Sequence, residues 1–268
     1  MSTLTKRISI MVLTEDSGYD AYDTVLTLVK EMLKLLVPDV HTHRIHFTPL
    51  KEENARRAMR GTDWKSTKAL LQPSIKLLIR SIITELLKDD GFVLYHIDGD
   101  CPWSEQASSE NVSTFQKCMS QPIEAGVLEH LQKNQRAGEF EERMKRFRLL
   151  VPFYSIEAWL YQNTREAQHL CTEQGCGRCL EKVATWEQAR ASLDEVLRPK
   201  EELCLRSKHN AHLASSGFPT REVFDANASF TSAVMNLLDC KSLTSALERT
   251  YTVPPELPLP EQVPKGSG

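Results

Sequence analysis

No stretch of the 268-residue chain approaches the run of about 18 apolar residues that a membrane-spanning helix requires, so no span is expected. The apolar run ISIMVL near the N-terminus is too short for a signal peptide and has the wrong flanks. The expected compartment is therefore the cytoplasm, with thiols mostly reduced. There is no basic excess either. A net charge of −3 and a pI near 6.3 argue against a generic basic coat for nucleic acid and leave room for a local patch. No internal repeat is visible. What remains, at 41% hydrophobic and 26% charged residues, is an ordinary globular composition, long enough to bury a core without staples.

Strand and helix patterns alternate through the first 170 residues. In RISIMVLTED, Ile8, Ile10 and Val12 point one way and Met11 and Leu13 the other, as in a strand buried on both faces. AYDTVLTLVKEMLKLLVPD carries Tyr22, Val25, Leu26, Val29, Met32, Leu33 and Leu36 at helical spacing, and Pro38 stops it. HRIHFTPL (43–50) reads as a second strand, and residues 51–72 as a loop or short helix. A helix over PSIKLLIRSIITELLKDD starts with Pro73 in its first turn and is ended by Gly91. FVLYHI is then the central strand, a helix falls within 110–136, RFRLLVPF is a further strand, and SIEAWLYQ opens a helix with Ser155 as its cap. This order implies an α/β fold with a mainly parallel sheet and right-handed crossovers. The expected organisation is an α/β domain over 1–170, a helical region over 171–252 entered through a Cys-rich loop, and a disordered Pro-rich tail over 253–268.

In such a sheet, ligands bind beyond the carboxyl ends of the strands. Glu15 follows the first strand, Asp98 and Asp100 follow the central one, and Glu157 follows LLVPF. Asp98 and Asp100 are two apart, so in extended chain both side chains face the same way, with Gly99 allowing a bend. Two unit charges about 4 Å apart repel by roughly 4 kcal/mol at an effective dielectric near 20, and a divalent cation reverses that sign. Mg2+ needs only one or two carboxylates when substrate phosphates complete its shell, which points to phosphoryl chemistry. The plainer alternatives are a DG turn, a Glu157 that complements a helix dipole, and a solvated Glu15.

MVLTEDSGYDAY, VLYHIDGD and VPFYSIEAWLY together resemble the Toprim fold. The closest likeness is to small bacterial Toprim-like proteins with an EAWL segment, relatives of the nuclease domains of the overcoming-lysogenization-defect (OLD) family. It spans roughly residues 7–170 at the level of motifs. The resemblance implies a Rossmann-like sheet and Mg2+-dependent (or Mn2+-dependent) cleavage of phosphodiesters in DNA or RNA. It makes Glu15 an acid/base or metal ligand, Asp98 and Asp100 metal ligands, and Glu157 a group completing the site. It also implies a role in anti-phage defence beside a partner ATPase or other subunit. The family's glutamate is commonly followed by glycine, with a second acid four residues on. Here Asp16 follows Glu15, Gly18 comes late and the next acid is Asp20, which leaves open a non-catalytic interaction subunit. A topoisomerase is not expected, since 268 residues leave little space for strand-passage domains.

HLCTEQGCGRC brings His169, Cys171, Cys176 and Cys179 within eleven residues, a candidate tetrahedral set for structural Zn2+, with Cys204 or His212 as substitutes for His169. The alternative is a loop of unmetallated thiols. A redox role lacks a thioredoxin-like context. Arg56, Arg57, Arg60, Lys65 and Lys208 are candidates for tracking a nucleic-acid backbone, against the alternative of a solvated charged face. His96, inside an apolar strand, reads as a core histidine.

Overall fold

The computed structural model describes residues 8–16, 20–50, 53–66 and 68–250. The expected tail lies outside them. Four strands, β1 (Ser9–Thr14), β2 (His46–Thr48), β3 (Gly91–His96) and β4 (Phe147–Leu150), pair entirely in parallel in the order β2-β1-β3-β4. The chain is an α/β protein of Rossmann-like type.

Helix α1 (Ala21–Leu36) links β1 to β2. The short α2 (Glu53–Ala58) and α3 (Gly61–Trp64), then α4 (Pro73–Leu86), lead to β3. Between β3 and β4 run α5 (Glu110–Phe115), a π-helical turn, α6 (Gln121–Lys133) and α7 (Phe140–Met144). Beyond β4 the described residues are mostly helical: α8 (Glu157–Leu160), α9 (Thr164–Glu173), α10 (Gly177–Gln188), α11 (Pro199–Glu202), α12 (Asn210–Ser215), α13 (Thr220–Ala226), α14 (Ala228–Leu238) and α15 (Lys241–Glu248).

The alternation in β1 sorts its side chains into two cores. Ile8, Ile10 and Val12, with Phe92 and Leu94, pack under α1 and the helices that follow β4. Met11 and Leu13, with Val93 and Tyr95, pack under α2, α4 and α6. The sheet is thus covered on both faces, which is why its strands are apolar throughout. The segment beyond residue 170 shares the first of these cores, through Cys171, Val183, Phe230 and Leu247 among others.

Two local expectations change. Gly91 opens β3 and does not end α4, whose last residue is Leu86. A Cβ at Gly91 would sit 2.0 Å from the carbonyl oxygen of Glu85, so the chain doubles back close beneath the helix end. Ser155 does not cap α8: its hydroxyl donates to Glu157 Oε2 (2.7 Å), and Ile156 holds the cap position.

The placement of the helices locates the binding crevice. The β1–β2 link runs through α1 on one face, whereas the links into and out of β3 run through α4 and α6 on the other. Strand order therefore reverses direction between β1 and β3. In open parallel sheets the crevice lies beyond the carboxyl ends of the strands at that point.

Candidate functional site at the β1/β3 switch point

β1 runs straight into Glu15, whose backbone N–H donates to the carbonyl of His96 (2.9 Å). β3 runs into Ile97–Asp100, and this segment is no hairpin turn. The N–H groups of Ile97, Gly99 and Asp100 donate to the carbonyls of Leu150, Pro152 and Tyr154 at 3.1, 2.9 and 2.9 Å, carrying the parallel pairing beyond β3 and β4. Gly99 is required by close approach: a Cβ there would lie 2.6 Å from the Phe153 ring.

The ends of β1 and β3 are laced together. The Asp98 N–H donates to Glu15 Oε2 (3.3 Å). Asn111, from α5, donates from Nδ2 to the same oxygen (3.1 Å) and to the Asp98 carbonyl (2.6 Å). Ser109 caps α5 and donates to the carbonyl of Gly99 (2.7 Å). Asn111 is buried, and its Oδ1 has no partner among the described residues. The Lys65 ammonium sits 3.7 Å from Glu15 Oε1 and 3.4 Å from Asp100 Oδ2. Burial raises the Glu15 carboxyl above its usual value, against the pull of Lys65 and the Asn111 hydrogen bond.

Asp98 and Asp100 do not face the same way. Asp100 has φ +55°, in the left-handed region, which breaks the alternation of an extended strand. Asp100 is exposed and meets Lys65. Asp98 turns inward: its Oδ1 accepts from the Ile156 N–H (3.1 Å) and lies 3.4 Å from His96 Nε2. His96 is fully buried, with Nδ1 3.1 Å from Thr14 Oγ1. Burial raises the Asp98 carboxyl while His96 pulls it back. Burial alone would lower His96, and Asp98 overrides it and holds the imidazole up. His96 is thus a core histidine that also grips a site acid.

Glu157 is buried beside Asp98 in an adjoining cleft. Its carboxylate accepts from Ser155 Oγ (2.7 Å) and Asn210 Nδ2 (3.0 Å) and lies 3.8 Å from Lys200 Nζ. This cleft, of about 310 Å³, is lined by Asp16, Asp20, Glu157, Lys200, Lys208 and Asn210 among others. A second cavity of about 520 Å³ lies against β1 and is lined by Thr14, Asp16, Arg56, Arg57 and Arg60 among others. Asp16 belongs to both. The basic residues nominated from sequence therefore stand around the acid-bearing strand ends, with Arg57 also paired to Glu53 (2.6 Å).

The cysteines converge elsewhere. Cys171 on α9, Cys179 in the first turn of α10 and Cys204 after α11 bring their sulfurs within 4.8 Å of one another, a group that can hold a metal ion. Among the described residues no other set of three or more His, Cys, Asp or Glu side chains does so. Cys176, the α10 cap residue, lies 2.6 Å from Cys179 Sγ. His169 is not part of the group. It is exposed and pairs along α9 with Glu166 (3.4 Å) and Glu173 (3.9 Å), because a helical step of two residues turns it away from Cys171. His212 is likewise engaged by Glu166 (2.7 Å). Burial pushes the Cys171, Cys179 and Cys204 thiols up to about 11, the opposite of a reactive nucleophile.

Sequence reasoning passed over Asn111, Lys200 and Asn210. A lone polar residue at a helix start carries no periodic signal, and only Ser109, whose hydroxyl accepts from the Val112 N–H, marks where α5 begins. Compared with family models, with curated proteins and with solved structures, the chain matches none.

Proposed function

We propose that this protein is a Toprim-like, metal-dependent nuclease that cleaves phosphodiester bonds in DNA or RNA at the β1/β3 strand ends. One observation carries the reading: Glu15 and Asp100, 85 residues apart, share a single cation, the Lys65 ammonium, at a topological switch point. The donors suit a hard ion. Glu15 and Asp100 offer carboxylate oxygens that both reach the Lys65 ammonium. Mg2+ or Mn2+ held there would offset charge developing on phosphoryl oxygens and lower the pKa of a bound water.

The chain's own groups have separable roles. Glu15, raised by burial, is suited to accept a proton from an attacking water. Lys65, partly exposed, can turn from the carboxylates to a substrate phosphate. Asp98 and His96 position the β3 end through Ile156 and Thr14. Arg56, Arg57 and Arg60 on one side, and Lys200 with Lys208 on the other, offer backbone-phosphate contacts. The cysteine group takes a structural part, with Zn2+ as its ion. The setting, by resemblance, is antiviral defence in the cytoplasm, beside a partner ATPase or other subunit.

One observation favours a second reading, an interaction subunit with a silent pocket. Asp98 is already engaged by His96 and Ile156, and Lys65 already offsets Glu15 and Asp100. Labelled single- and double-stranded DNA and RNA, incubated with the chain and Mg2+ or Mn2+, separate the two. The nuclease reading expects cleavage that EDTA and Glu15→Ala each abolish. Cleavage unchanged in both Glu15→Ala and Asp98→Ala overturns the site. Co-purification of another subunit with no cleavage under either metal supports the second reading.

A further inference from the structure

We infer that Cys171, Cys176, Cys179 and Cys204 form a closed tetrathiolate zinc site that clamps residues 199–210, the basic wall of the Glu157 cleft, onto α9 and α10. The four sulfurs come from three separate pieces of chain. Cys171 is on α9, Cys176 and Cys179 are at the start of α10, and Cys204 lies 25 residues beyond Cys179. All are free thiols.

The geometry suits zinc. Tetrahedral Zn–S bonds of about 2.3 Å set sulfurs roughly 3.8 Å apart. Cys171 and Cys204 lie 3.7 Å apart. Cys176 and Cys179 are closer, at 2.6 Å, and the half-buried Cys176 is the ligand with room to rotate to the tetrahedral edge. The Cys204 N–H donates to Cys179 Sγ (3.1 Å), the kind of outer contact that orients a thiolate ligand. Cys171 and Cys179 are buried, so the set is closed and structural, without an open catalytic position.

Charge agrees. Zn2+ replaces up to four thiol protons and leaves a net charge of −2 on the centre. Lys200, Arg206 and Lys208 line the groove that contains Cys204, and Arg178 sits beside Cys176. The consequence is mechanical. Cys204 lies between Leu203 and Leu205, both buried in the core, and midway between Lys200 and the Ser207–Lys208–Asn210 set that lines the cleft. A bond at Cys204 therefore fixes both ends of that wall. The inference does not depend on the nuclease reading, and every readout below is made without nucleic acid.

The full chain, purified reduced from zinc-supplemented medium, is expected to carry about one zinc per molecule. Cobalt substitution is expected to give thiolate-to-cobalt charge transfer and tetrahedral d–d bands. Cys204→Ser and Cys171→Ser should lose the metal, and His169→Ala should keep it. In hydrogen–deuterium exchange, stripping zinc should speed uptake in 199–210 by about tenfold or more while β1 and β3 stay protected. Absence of a cobalt–thiolate spectrum overturns the site, as does a native Cys176–Cys179 disulfide. Zinc loss in His169→Ala overturns the ligand set, and unchanged uptake after stripping overturns the clamp.

Discussion

The backbone N–H of Asp98 donates to the carboxylate of Glu15 across 3.3 Å, joining two residues 83 positions apart. The bond ties the exit of β3 to the exit of β1, and Asn111 doubles it by donating to Glu15 Oε2 and to the Asp98 carbonyl. Glu15 is thereby a held group. One of its oxygens anchors backbone, and the other faces Lys65.

Loss of the shared cation should be read in turnover. Under the proposed nuclease reading, Lys65→Ala is expected to lower kcat/KM for nucleic-acid cleavage by ~10²-fold, a usual scale for removing one electrostatic stabiliser. Asp100→Asn should do the same with the fold intact, since Asp100 is exposed. Steady-state kinetics alongside circular dichroism checks both; full activity in either variant removes that residue from the site.

Stability should fall as pH rises from about 4 to about 7. Burial raises Asp98 and Glu15, and Asp98 holds His96 up, so the folded chain keeps protons here that the unfolded chain releases. The unfolded carboxylates ionise near 4 and the unfolded histidine loses its proton near 6.5. The contribution is therefore present below those values and is lost as pH climbs through the raised folded ones. A loss of ~1–2 kcal/mol over this window is expected in urea unfolding with EDTA. Asp98→Asn, which stays neutral, should flatten the profile; an equal slope in parent and variant counts against the assignment.

Asn111→Leu removes both donations across the switch point, taking the amide donor from the Asp98 carbonyl and leaving Glu15 Oε2 with the Asp98 N–H alone. A cost of ~1–3 kcal/mol is expected. Chemical denaturation measures it, and a loss below roughly 0.5 kcal/mol would mean that water replaces the amide.

Gly99→Ala should destabilise by ~1–3 kcal/mol, because its Cβ falls 2.6 Å from the Phe153 ring. That ring packs edge-to-face on Trp103 at 5.3 Å and cannot simply swing clear. Phe153→Leu in the same chain should recover part of the loss; no recovery would place the cost in the backbone.

Much of the architecture was legible before the structure. The two-faced apolar pattern of β1 sorted Ile8, Ile10 and Val12 from Met11 and Leu13, as the two cores do, because a strand's side chains alternate regardless of what covers them. The acids after β1 and β3 were legible too, because a parallel sheet puts both strand ends on one rim. Less so was the disposition of Asp98 and Asp100, since the two-residue period fails where Asp100 turns left-handed.

Sequence alone thus determined which acids could stand at the rim, through local periodicity and the direction parallel strands impose. Only the tertiary structure decided which of them meet. Lys65 reached Glu15 and Asp100, His96 took hold of Asp98, Asn111 bridged β1 and β3, and Cys204 displaced His169 beside the other thiols. Each of these contacts depends on how helices pack across a shared core. That packing is set by long-range burial, and no short window of sequence contains it.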